Sequence, residues 1–149
     1  MMKLGRRTAA LAMWLALAGS MRADLKRARA EPNIEKRSQL ALENARAQYQ
    51  AARTAYEKGD MDQVAAAVAE IQESVELADT SLKETHKDPR RSPKWFKKAE
   101  IETRDLLRKL DAFQQEMGFS ERPMLEKVKA SIQQIHDELL LGLMEGKRK

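Results

Sequence analysis

From residue 33 onward, apolar residues recur at alternating intervals of three and four, the spacing that keeps one face of an α-helix turned toward a partner. In a first segment, about Asn33 to Lys58, the stripe is Leu42, Ala45, Tyr49, Ala52 and Tyr56. A second segment, about Asp60 to Glu84, carries Met61, Val64, Val68, Ile71, Val75, Ala78 and Leu82, and Leu77 can add bulk beside the small Ala78. This is the seam of an antiparallel coiled-coil hairpin. Gly59 supplies the corner, since glycine takes a left-handed conformation at a helix end without steric penalty, and Asp60 can cap the next helix. Folding there sets Tyr56 against Met61, Ala52 against Val64, Tyr49 against Val68, Ala45 against Ile71 and Leu42 against Val75.

A second hairpin repeats the plan. Ser92 is a candidate cap and Pro93 is tolerated in the first turn of a helix running to about Met117, with the stripe Phe96, Ala99, Thr103, Leu106, Leu110, Phe113 and Met117. Gly118 ends it, and a last helix opens at Ser120 or Arg122 with Pro123 in its first turn. Its stripe is Leu125, Val128, Ile132, Ile135 and Leu139, extended by Leu143 and Met144. This corner sets Phe113 against Val128, Leu110 against Ile132 and Leu106 against Ile135. The pattern predicts an all-α protein, an antiparallel four-helix bundle made of two long coiled-coil-like helical hairpins. Its domain spans residues 33–149, with hairpins 33–84 and 93–146 and a polar linker 85–92 whose length suits neighbouring helices. Helices of about 25 residues would be roughly 37 Å long. Residues 31–84 carry 6 basic and 11 acidic side chains and residues 85–149 carry 15 and 11, so the hairpins have opposite net charge.

The residues ahead of the bundle have a different character. Lys3, Arg6 and Arg7, with no acid near them, precede the apolar run Thr8 to Gly19, which is the order of a secretory signal peptide. That run is too short to span a bilayer, which takes about 20 residues. Residues 1–20 are therefore predicted to be a signal peptide, cut after Ser20 or, as the alternative, after Ala23, with an uncleaved membrane anchor as the minority reading. Ordinary unfolded export fits better than a twin-arginine route, because Thr8-Ala9-Ala10 lacks the bulky apolar residues that usually follow an arginine pair. Residues 21–32 are predicted to be a flexible tether, since Asp24 to Ala30 shows no apolar face. The leader also explains the basic composition: residues 24–149 hold 24 Lys and Arg against 23 acids, a net charge of +1. A nucleic-acid binder is expected to keep a strong positive excess, which this chain does not have beyond its leader.

One local resemblance bears on the first corner. The run Thr54-Ala55-Tyr56-Glu57-Lys58-Gly59-Asp60-Met61-Asp62-Gln63-Val64 resembles the turn of a tetratricopeptide-type helical hairpin. It covers about a dozen residues, no second copy follows at about 34 residues, and the flanking helices are too long for that repeat. The resemblance implies a helical hairpin here, and no peptide-binding groove is carried over from so short a match.

Candidate chemistry is sparse. The chain has no cysteine, hence no thiol nucleophile, disulfide or lipid-modified thiol, and it shows neither a glycine-flanked serine nor a glycine-rich phosphate loop. Acid-base work would fall to carboxylates such as Glu100, Glu102, Glu126 and Glu138, and nothing in the sequence pairs them. Di-iron bundles use Glu-x-x-His steps, whereas Gln133 precedes His136 and Lys83 precedes His86 by three. A haem held by His136 with Met117 or Met124 would need ligands about 12 residues, or ~18 Å, apart along the helix. No enzyme activity, cofactor or metal is expected.

The remaining feature is a basic cluster, Lys87, Arg90, Arg91, Lys94, Lys97 and Lys98, interrupted by Asp88 and carrying Trp95 and Phe96. Cations in a first helical turn oppose the helix dipole. Folding brings the tail Lys147, Arg148 and Lys149 to the same end. The plain alternative is that Trp95 and Phe96 cap the core while the lysines stay solvated. The functional expectation is an exported, periplasmic or secreted, non-enzymatic interaction or structural protein of the bacterial cell envelope. Arg90, Arg91, Lys94, Trp95, Lys97, Lys98, Lys147, Arg148 and Lys149 would meet a protein or anionic envelope component, with at most peripheral membrane contact and no nucleic acid. A periplasmic ligand, haem or metal carrier is the rival.

Overall fold

The structure, a computed structural model, describes residues 24–146. The predicted leader and its cleavage sites, and the tail Lys147, Arg148 and Lys149, lie outside the described residues. Among the described residues all regular structure is helical: a short α1 (residues 24–30), then α2 (Ile34–Glu57), α3 (Met61–Glu84), α4 (Lys94–Glu116) and α5 (Pro123–Glu145). None of these helices is long and apolar enough to cross a membrane.

Local chemistry sets the boundaries of the first hairpin. The Asn33 side chain accepts the Lys36 amide at 2.9 Å and opens α2. Gly59, at φ +73°, ends it, with the Asp60 amide donating to the Ala55 carbonyl and the Gly59 amide to the Tyr56 carbonyl. That pair of bonds satisfies carbonyls the helix end would leave bare, and only a left-handed residue at the corner allows it. Asp60 then caps α3 by accepting the Gln63 amide at 3.1 Å.

The second hairpin opens differently from expectation. Pro93, not Ser92, occupies the capping position of α4, and no side chain caps it. The Ser92 amide instead donates to the Asp88 carbonyl at 2.9 Å, which holds Ser92 in the preceding turn. Arg122 stands at the start of α5, again without a side-chain cap, and Pro123 takes the first turn as expected.

Packing is helix on helix throughout. Helices α2 and α3 approach most closely, because Ala41, Ala45, Ala52, Ala67, Ser74 and Ala78 are all buried and leave little side-chain bulk between the two backbones. The buried Asn44 Nδ2 donates to Ser74 Oγ at 2.9 Å across this seam, within a residue or two of the register the stripe predicts. Helix α4 packs on α5, α3 on α5, and α2 on α4. Contacts along α2 and α4 climb together, from Arg46 with Glu102 through Tyr49 with the Lys109 carbonyl to Arg53 with Glu116, so these two helices run parallel. The linker therefore does not join close neighbours, as its length suggested. It connects α3 to α4, which touch less than either touches its parallel and antiparallel partners.

The predicted stripes are buried, with Tyr56, Met61, Leu77 and Leu143 partly so. Met144 is the exception, at 68% exposure. Buried positions that the stripes omit, including Ala41, Gln48, Ala67, Ser81, Glu100, Leu107 and Gln114, arise because each long helix meets two neighbours and buries a wider face than a two-stranded seam would.

Residues 24–30 correct the predicted tether. They are helical, with Leu25 and Ala28 buried one turn apart and Arg29 paired with Glu73 of α3 at 3.2 Å. Two apolar residues at a spacing of three suffice to seat so short a helix.

Candidate functional site

The basic end is built on the linker. Asp88 organises it: its side chain accepts the Arg90 amide at 2.9 Å, and its carbonyl accepts the Arg91 amide at 3.1 Å. The carboxylate that interrupts the cluster in sequence thus acts as a turn former, and Arg90 and Arg91 project from that turn into solvent. The linker leans on the end of α5. A Cβ at Gly142 would lie 3.2 Å from Pro89 Cγ, and one at Gly146 would lie 3.1 Å from Arg90 Cδ. Glycine at both positions permits this close approach, which ties the two sequence-distant segments into one surface.

The expected cations do not share one fate. Lys87 pairs with Glu35 of α2, which removes it from the free positive charge. Arg90, Arg91, Lys94, Lys97 and Lys98 form no ion pair with any described residue. No acid stands in the first turn of α4. Lys94 and Lys98 lie over the Trp95 ring, with their nitrogens 4.8 and 5.8 Å from its centroid. Trp95 is half-buried against the core and Phe96 is buried within it. Trp95 is therefore a platform that orders two lysines, rather than a fully free contact residue.

Beside this surface, α3, the linker and α5 enclose a cleft of about 510 Å³, lined mainly by Leu82, Pro89, Phe96, Leu139, Leu141 and Gly142. Its polar wall is a triad: Lys83 Nζ lies 2.7 Å from Asp79 and 3.0 Å from Glu138. Burial raises the Asp79 carboxyl above its usual range, against the pull of Lys83. Its hydrogen bond to Asp79 raises Lys83, and the bond from Lys83 lowers Glu138. Burial outweighs the cation at Asp79 because that side chain is far less exposed than its two partners.

The four carboxylates singled out in the sequence go to four separate places. Glu100 meets His136 at 3.0 Å, Glu102 meets Arg46, Glu126 accepts from Gln114, and Glu138 meets Lys83. One of the two ring nitrogens of His136, Nε2, is thus engaged by a buried carboxylate. Met117 is buried in the core. Among the described residues, no three His, Asp or Glu gather where they could hold a metal ion.

Sequence reasoning missed both the cleft and the exposed apolar turn of α5 next to it. The signal was the run Leu139-Leu140-Leu141, because three consecutive residues span 200° of a helix and cannot all face one seam. No protein-family model matches the chain, and no curated protein matches it.

Proposed function

We propose that this is an exported, non-enzymatic helical protein of the bacterial cell envelope, in which α2 to α5 close as a four-helix bundle and present one cationic end to an anionic partner. Export rests on the leader pattern of residues 1–20. The observation that carries the binding role is the set of cations Arg90, Arg91, Lys94, Lys97 and Lys98, which form no ion pair with any described residue, around a helix start with neither a side-chain cap nor an acid in its first turn. Elsewhere most exposed cations find a carboxylate: Arg29, Lys36, Arg46, Lys83 and Arg108 are all paired. A cluster left without counter-charges, and oriented against its own helix dipole, stabilises the fold little and suits an external anion better.

Replacing Arg90, Arg91, Lys94, Lys97 and Lys98 with glutamate tests this reading. Binding to anionic vesicles or to an anionic polymer should be abolished while circular dichroism reports the same helix content. Parent binding should also weaken steeply with salt, since the Debye length falls from ~10 Å at ~0.1 M to ~3 Å at ~1 M. A parent protein without affinity for any anionic surface at low salt would leave the cluster as a solvated helix start.

A second reading, a carrier of a small apolar ligand, draws on the cleft beside Phe96 and Leu139. Its size falls in the range of small-molecule sites. Mass spectrometry of protein purified from its native export route would reveal a stoichiometric ligand if that is its role.

A further inference from the structure

We propose that the anionic partner is a phospholipid bilayer, and that the last turns of α5 insert Leu140, Leu141 and Met144 into it while Arg90, Arg91 and Lys97 meet the headgroups. This inference rests on the binding role of the cationic end and specifies what that end binds. Of the five large apolar side chains exposed among the described residues, these three fall within five positions of α5, whereas the others are scattered at Ile101 and Phe119. Singly exposed leucines are ordinary; a cluster of them on one turn is the kind that marks an interaction surface.

Position ties this cluster to the cations. His136 on α5 touches Glu100 on α4, and one turn farther toward the same end the antiparallel pair brings Leu140 level with Lys97. On the other side of α5, Gly142 packs against Pro89 and Gly146 against Arg90. Lys97 and Arg90, neither in an ion pair with any described residue, therefore flank the apolar turn on its two sides. An anionic polymer would use the cations and leave Leu140, Leu141 and Met144 without a partner. A bilayer uses both, through headgroup charge and acyl-chain burial. Shallow insertion by side chains needs no spanning helix, consistent with the helices described.

The chain has no cysteine, so single labels can be placed cleanly in the exported protein, residues 21–149. Met144→Cys and Phe119→Cys variants, each carrying an environment-sensitive fluorophore, are mixed with vesicles of equimolar phosphatidylglycerol and phosphatidylcholine. The label at 144 should blue-shift and lose several-fold of its accessibility to an aqueous quencher. The label at 119, at the opposite end, should keep its accessibility. Adding Arg90→Glu, Arg91→Glu and Lys97→Glu to Met144→Cys should restore access. If charge reversal abolishes vesicle binding but the label at 144 stays fully accessible throughout, the cationic end binds by charge alone and insertion is wrong. If the parent binds heparin but not the vesicles, the partner is a soluble polyanion, and the bilayer assignment falls while the binding role stands. If vesicle binding survives charge reversal with position 144 still accessible, another segment holds the membrane and both readings fail.

Discussion

At the scale of single residues, the informative contrast is between cations that have a structural job and cations that do not. Lys83 has one: it neutralises a partly buried Asp79 and an exposed Glu138 at once. Glu138, lowered below its ordinary value, adds stability that is present above its unfolded pKa and lost as pH falls through the folded one. Lys83, raised, adds stability that is present below its unfolded pKa and lost as pH climbs through the folded one. Asp79, raised by burial, works the other way, because its charge costs stability that acid relieves. Lys83→Met should therefore destabilise at neutral pH, with a penalty that shrinks in the carboxylate range as both acids take up protons. The exposed arm to Glu138 contributes only ~0–1 kcal/mol, so most of the effect should come from Asp79. Denaturant midpoints at neutral and acid pH would check it; an equal penalty at both would contradict the triad. None of this was legible in the sequence beyond the i,i+4 spacing of Asp79 and Lys83, because Glu138 arrives from a helix 55 residues away.

At the scale of elements, period and turn chemistry carried far. Gly59, Asp60 and Pro123 act where the sequence expects them, and the stripes from Val64 to Leu82 and from Leu125 to Leu139 are buried as read. Ser92 failed because a competing turn around Asp88 claimed it. Residues 24–30 failed because a helix of about two turns needs only Leu25 and Ala28, too few to register as a period. The register is open to a direct check. Ile71 is fully buried, and Ile71→Ala should lower stability by ~2–5 kcal/mol. Glu73, two positions on, is exposed and pairs only with exposed Arg29, so Glu73→Ala should cost ~0–1 kcal/mol. An unchanged denaturant midpoint for Ile71→Ala would place the seam on the wrong face.

At the scale of the whole molecule, two hairpins dock through α3 on α5 and α2 on α4, and one end gathers the linker, the start of α4 and the end of α5. The sequence placed the basic cluster at that end, but which cations stay free depended on tertiary partners: Glu35 takes Lys87, and the ring of Trp95 takes Lys94 and Lys98. The exposed turn at Leu140, Leu141 and Met144 was hidden in the sequence because the same run also supplies Leu139 to the core. The proposed binding surface is this end. Amide chemical-shift mapping during titration with a short heparin oligosaccharide tests it most directly. Perturbations should concentrate at Arg90 to Lys98 and the last turn of α5 and vanish in high salt; perturbations centred on the Gly118 to Arg122 corner or the outer face of α3 would contradict the binding role of this end.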